Sequence, residues 1–352
     1  MERDGRMAEA EAAWRAYVAK HPGEAEPYAH IGQLSARQEH FEDAIAAYKK
    51  AMMIAPAMPG LRPNLGLVYF KTGDYRDAIA MFGPMAQANP GDVRIALLMG
   101  MSHFGLNEYK DAAPYLKVAA NGDAQNLNLQ MTLAHACLFA KDFECVLDAF
   151  HRVVAIKPDS AEAHMMAGEA LDEMKDPLGA QKEFREAIAV NPKQPDVHFG
   201  LGYLLWTKAQ YPEAQTEFEA ELANNPQHVL SMLYLGDIAM KDNKQDEAQA
   251  WLEKVVKLAP GNELAHRDLG NLYADEGKNE AAVAELKEAI RLAPKQSAAH
   301  WRLARLYRAM GKTAEAKVEF ELTNKLNEAE DQHLVHVMTQ VPASDATPAP
   351  KQ

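Results

Sequence analysis

Four histidines, His164, His198, His266 and His300, stand at multiples of 34 residues from one another. Imidazoles are common metal ligands, but a metal centre needs several of them within a few Å of one ion. The spacing argues against that. Equivalent helices of a repeated helical pair lie two packing steps apart, about 8–10 Å each, so these rings cannot share an ion. Their expected role is a half-buried slot that accepts a flat polar ring. His333 and His336 share a helical face at i, i+3 and make at most a weak two-ligand site. The two cysteines, Cys137 and Cys145, form no CxxC pair and no Cys/His cluster with zinc spacing. They are expected to flank the turn of one helical hairpin. A disulfide there needs Cα atoms within about 7 Å; buried small apolar side chains are the expected role. The sequence has no glycine-rich phosphate loop, no GxSxG and no HExxH. The expectation is a non-enzymatic chain without catalytic residues, metal or cofactor.

The elements that carry these residues are set by a second ruler. Pro22, Pro56 and Pro90 are followed by Ala124, then by Pro158, Pro192, Pro226, Pro260 and Pro294, each step being 34 residues. A fixed period of this length marks a helical solenoid, in which each unit buries its apolar face against its neighbours. Counted from three residues after each proline, nine units span residues 25–330. Their seventh and eighth places pair an apolar with a small residue, from Ile31-Gly32 and Leu65-Gly66 to Leu303-Ala304. An alanine column follows twelve places on, from Ala44 to Ala316, interrupted by Val146. Four places further stands a bulky column: Tyr48, Phe82, Leu116, Phe150, Phe184, Phe218, Leu252, Leu286 and Phe320. Apolar intervals of three and four predict two amphipathic helices per unit. The first should end near Gly73, Asn107, Asn243, Gly277 and Gly311, residues that tolerate the left-handed conformation. Pro177 and Pro212 fit the first turn of the second helix. Pro84 and Pro114 fall inside second helices and predict a kink or a shortening.

These columns resemble the tetratricopeptide repeat over residues 7–341. The resemblance implies an all-α, right-handed superhelical solenoid of nine 34-residue repeats with helical caps. Its first helices would line a concave groove holding a peptide or helix of a partner protein. Residues 1–24 match only a second helix, with Ala10, Trp14 and Pro22 in register; either this helix caps the array or the chain is a fragment of a longer protein. Residues 331–341 read as a C-terminal capping helix and 342–352 as a disordered tail. In the family the second, fifth, sixth, ninth, twelfth and thirteenth places of first helices face the groove. Here they give an apolar half with Leu67, Phe70, Leu97, Met101, Phe104, Met131, Leu138 and Phe139. Glu169, Asp172, Glu173 and Asp237 make an acidic middle. Phe199, Tyr203 and Trp206 form an aromatic ladder at i, i+4, i+7, either an exposed anchor or packing against the neighbouring second helix. Trp301, Arg302, Arg305 and Arg308 make a basic end, suited to carboxylates or solvated beside Glu330 and Asp331. Some family members hold a peptide's terminal carboxylate with basic and Asn residues on successive first helices. Arg267 and Asn271 stand in comparable places, but Arg302 stands where that group usually has Asn, and a third helix would offer Gln332 and His336 where basic residues are expected.

Composition bounds the partners. Of 352 residues 48% are apolar and 25% charged, as in a globular chain. Lys and Arg total 37 against 50 Asp and Glu, a net charge of −13. That balance opposes nucleic-acid binding, which needs a basic stripe, and docking on an anionic membrane. There is no transmembrane run of about 20 apolar residues, and the first 20 residues lack the apolar core of a signal peptide. At face value the protein is cytoplasmic; a truncated N-terminus would leave a periplasmic or secreted location open. The expected function is a scaffold for a protein or peptide partner. Alternatives are the repeat segment of a larger assembly, for glycosyltransferase recruitment or a secretion or envelope complex, and a self-associating architectural protein. The oligomeric state is open, with a monomer favoured.

Overall fold

The computed structural model describes residues 6–340, with side chains through Asp331. Every regular element among the described residues is a helix. Helix α1 (Met7–Val18) precedes nine hairpins. These are α2 (Ala25–Arg37) with α3 (Phe41–Ile54), α4 (Leu61–Thr72) with α5 (Tyr75–Ala88), α6 (Val93–Gly105) with α7 (Tyr109–Gly122), α8 (Leu127–Ala140) with α9 (Phe143–Ile156), and α10 (Ala161–Glu173) with α11 (Pro177–Val190). They continue as α12 (Val197–Thr207) with α13 (Tyr211–Asn224), α14 (Val229–Lys241) with α15 (Gln245–Leu258), α16 (Glu263–Asp275) with α17 (Asn279–Leu292), and α18 (Ser297–Ala309) with α19 (Thr313–Gln340). The chain divides into two compact units, Met1–Gln194 and Pro195–Gln352. No helix among the described residues is long and apolar enough to cross a membrane.

The 34-residue period is kept to the residue. Counting Ala25 as the first place, all nine second helices start at the seventeenth, from Phe41 to Thr313. First helices start at the first place except α4 and α12, where Pro59 and Pro195 occupy it. There the second residue turns left-handed, Gly60 with φ 84° and Asp196 with φ 64°, and the helix begins one residue later. The fifteenth place of every hairpin has positive φ. It holds Gly73, Asn107, Asn243, Gly277 and Gly311, as expected, and also Glu39, Lys141, Lys175 and Ala209.

The columns form the core of each hairpin. The alanine column is 0% exposed from Ala44 to Ala282, Val146 included. The glycine at the eighth place faces the bulky residue sixteen places on: a Cβ on Gly66 would stand 2.7 Å from the Phe82 ring. Helices could not pack this closely around a side chain at that point. The four aligned histidines clamp the hairpins. Their Nδ1 atoms lie 2.6–2.7 Å from Glu183, Glu217, Glu285 and Glu319, each nineteen residues on. Nε2 of His164, His266 and His300 lies 3.1–3.3 Å from the carbonyls of the ruler residues Pro158, Pro260 and Pro294. In the fourth unit Gln130 takes this slot and donates to the carbonyls of Ala120 and Ala124. The rings are thus committed to their own hairpin through Nδ1 and, in three of the four, to the end of the preceding repeat through Nε2.

Three expectations are corrected. Pro84 and Pro114 shorten nothing: α5 and α7 have the same 14 residues as their equivalents. Both rings lie on the exposed face, as do Ala80 and Lys110, whose carbonyls lose a donor and meet water instead. Cys137 and Cys145 are not free thiols but a disulfide joining α8 to α9, with Cα atoms 5.8 Å apart. The segment expected as a separate capping helix at 331–341 continues α19 without a break to Gln340. The side chains of Gln332, His333 and His336, and the tail expected to be disordered, lie outside the described residues.

Candidate functional site

The second unit carries a concavity of about 400 Å³ between three helices. Helix α16 supplies the consecutive Arg267 and Asp268 and, one turn on, Asn271. Helix α18 supplies Ser297, Trp301 and Arg302, and α19 closes the wall with Thr323 and Asn327. A smaller concavity of about 190 Å³ adjoins it and shares Asn271 and Arg302, adding Asp275 and Arg305. Four residues singled out by spacing, Arg267, Asn271, Trp301 and Arg302, are therefore brought to one pocket. Thr323 and Asn327 were not anticipated, because they lie on a second helix and the groove places are read on first helices.

The pocket's chemistry is bipolar. Arg267 is half-buried and donates from Nε to Asp268 Oδ1 at 2.9 Å. Burial pushes the Asp268 carboxyl up, and the Arg267 guanidinium works against that shift. Asn271 Oδ1 is buried and accepts no hydrogen bond. A bound N–H donor would relieve the cost of that unmet acceptor, about 1–3 kcal/mol. Arg302 and Arg305 stack on the Trp301 ring, 5.2 and 4.7 Å from its centroid. The ring holds the two guanidiniums in place while their donors stay available. Among the described residues neither arginine pairs with Glu330 or Asp331. Arg308 departs from the group and packs over Phe320 of α19, 5.4 Å from its centroid.

The aromatic ladder is mostly interior. Phe199, Tyr203 and Trp206 all pack onto Tyr234 of α14, with centroids 4.9–6.0 Å away, and Phe199 also meets Phe218. The Trp206 indole donates to Asp237 Oδ2 at 2.7 Å, and Lys241 donates to the other oxygen at 2.8 Å. Only Tyr203 is exposed, at 37%. Tyr234, whose hydroxyl burial pushes up, was not recognised as the ladder's partner. In the first unit Leu67, Leu97 and Phe139 are exposed, Phe139 at 58%. Phe70, Met101 and Phe104 are half-buried against the core or their own hairpin, Phe70 edge-on to Tyr75 and Phe104 to Tyr109.

Family models described as TPR repeat and tetratricopeptide repeat match residues 270–311, residues 2–59, 165–209 and 204–263, and residues 35–101. No curated protein matches the sequence significantly. Among solved structures, the APC/C hetero-tetramer Cut9-Hcn1 aligns with 83% of this chain at 16% identity and a TM-score of 0.52; the alignment covers 58% of that chain. MamA 41-end from Desulfovibrio magneticus RS-1 aligns with 49% of this chain and 97% of its own, at 22% identity and a TM-score of 0.45. YrrB, described as a TPR protein with an unusual peptide-binding site, aligns with 54% of this chain and 98% of its own, at 17% identity and a TM-score of 0.46.

Proposed function

Because the chain belongs to the tetratricopeptide repeat family, in which protein-binding scaffolds are typical, we propose that it is a non-catalytic scaffold that grips a partner protein by an extended, carboxylate-bearing peptide. The observation that carries this reading is the pocket of Arg267, Asn271, Trp301 and Arg302. An arginine fork matches a carboxylate bidentately. The open acceptor of Asn271 matches a peptide N–H one bond or two away, and Trp301 offers an apolar shelf to the side chain between them. The site can thus accept both polar ends of a peptide unit while desolvating its middle.

The test is selection from a peptide library with free C-terminal carboxylates, followed by binding measurements on single peptides. Arg302→Ala should weaken the selected peptides at least tenfold, and amidating their C-terminus should do the same. Arg308→Ala, which alters a residue packed on Phe320 outside the pocket, should leave binding unchanged. Peptides indifferent to both Arg302→Ala and amidation would refute the carboxylate reading.

A further inference from the structure

The hairpin of the third repeat gathers three ligand-bearing side chains at the junction of its two helices. His103 sits in the last turn of α6, Glu108 at the N-cap of α7 and Asp111 in its first turn. One ligand atom from each falls within 4.8 Å of the other two, and His103 Nδ1 lies 2.8 Å from Glu108 Oε2. We propose that His103, Glu108 and Asp111 form a binding site for a divalent transition-metal ion of the zinc class.

The backbone organises this set before any ion arrives. The Glu108 N–H donates to the His103 carbonyl at 2.9 Å, and the Asp111 N–H donates to the Glu108 carbonyl at 3.1 Å. Asn107, left-handed at φ 60°, makes the turn that brings the two helix ends together. The imidazole lies parallel to the Tyr115 ring, 5.8 Å between centroids and 3° between planes, which restrains its rotation. Glu108 occupies the N-cap yet makes no capping bond; its carboxylate turns to His103 instead. Among the described residues the Asp111 carboxylate has neither a hydrogen-bond partner nor an ion pair.

The donor set selects the ion. One imidazole nitrogen and two carboxylate oxygens suit borderline cations. Calcium and magnesium favour shells made wholly of oxygen, so an imidazole nitrogen among three donors favours a borderline cation over either. With bonds near 2.0–2.1 Å, neighbouring ligands of a tetrahedral zinc stand about 3.3 Å apart. The His103–Glu108 pair is already closer than that, and the exposed Asp111 side chain closes the third edge by rotation about its own bonds. A metal at Nδ1 needs the neutral ring with its proton on Nε2, the tautomer in which Nδ1 offers its lone pair. Water fills the fourth position. Cys137 and Cys145 are bridged, so no thiolate competes under non-reducing conditions.

The same three places elsewhere show what is particular to this hairpin. The first repeat puts Ser35, His40 and Asp43 there, the sixth Leu205, Gln210 and Glu213, and the ninth Tyr307, Lys312 and Glu315. In those repeats the eleventh place is serine or apolar and serves the hairpin core.

The test is calorimetric titration of the full chain with Zn²⁺ under non-reducing conditions, beside His103→Gln, Glu108→Gln and Asp111→Asn. The parent should bind one Zn²⁺ in a saturable step that excess Mg²⁺ leaves intact. Each variant should lose at least tenfold in affinity with its helical circular dichroism unchanged. If His103→Gln fails to fold, the two carboxylate variants decide, since both alter side chains facing solvent. Absence of a saturable step, or affinity equal to the parent's in Glu108→Gln or Asp111→Asn, overturns the site; binding lost only with His103 would mark a lone histidine and overturn it as well.

Discussion

Glu11 shows how one buried side chain can govern the docking of a helix. It is 7% exposed and accepts hydrogen bonds from Arg15 within α1, from Ser35 of α2 and from Gln38 at the C-cap of α2. Burial opposes its ionisation, but these donors and the Arg15 charge outweigh burial and hold the carboxyl below its ordinary range. A carboxyl held lower in the folded than in the unfolded chain adds stability above the unfolded value and loses it as pH falls through the folded one. Glu11→Gln should therefore loosen α1 by about 2 kcal/mol at neutral pH, the worth of charge-assisted hydrogen bonds. The gap to the parent should start to close as pH falls below about 4.3, the ordinary carboxyl value, and vanish only once pH lies below the depressed folded value. Hydrogen exchange of α1 amides followed from pH 7 downward through the acid range measures both; a gap that ignores pH would show that shape rather than charge holds the helix. At this scale the sequence was legible where a residue's role repeats or lies along one helical face, as for Arg267 with Asn271 and Trp301 with Arg302. It was not legible where the partner sits on another helix: nothing at Trp206 announces Asp237, and nothing at Arg308 announces Phe320.

Helical hairpins impose a conformation on the fifteenth place regardless of which residue fills it. Glycine there is natural, yet Ala209 is held at φ 57°. An L-residue in the left-handed region carries strain of about 1–2 kcal/mol. Replacing it by glycine also frees the unfolded chain, which costs back about 0.4–1 kcal/mol. Ala209→Gly should thus stabilise the sixth hairpin by about 0.5–1 kcal/mol, read as a higher denaturant midpoint at constant slope, whereas a lower midpoint would mean that unfolded-chain entropy wins. Hairpin boundaries were legible because the small and bulky columns must interlock and cannot drift. The left-handed turns at Glu39, Lys141, Lys175 and Ala209 were not, since packing enforces them without help from residue type. Nor was the Cys137–Cys145 bridge: a separation of eight residues suits two buried thiols as well as a disulfide, and only the crossing of α8 over α9 decides. The metal-ligating set escaped notice for a related reason. Its pattern, His, four residues, Glu, two residues, Asp, bridges the end of one helix and the start of the next, so a search along single helical faces passes over it.

Within each unit, helices pack on their immediate neighbours along the chain, with next-nearest contacts such as α2–α4 and α8–α10. Among the described residues of the first unit, the helix pairs that pack extensively are neighbours or next-nearest neighbours along the chain. Stability in such an array is a sum of local terms and neighbour couplings, so damage should stay local. Phe82 offers a clean cut. It is 0% exposed, seated against Gly66 within its own hairpin. Phe82→Ala removes a full ring from a core that the surrounding helices cannot collapse to fill, a loss of about 3–5 kcal/mol. In a globular domain that loss would lower the protection of every slow amide alike. Here hydrogen exchange should quicken in α4, α5 and the first turns of α6, while the slowest amides of α10 and α11 keep their parental rates. Uniform acceleration across the first unit would mean that neighbour coupling exceeds the stability of single hairpins, and that the unit unfolds as one body despite its one-dimensional contact pattern.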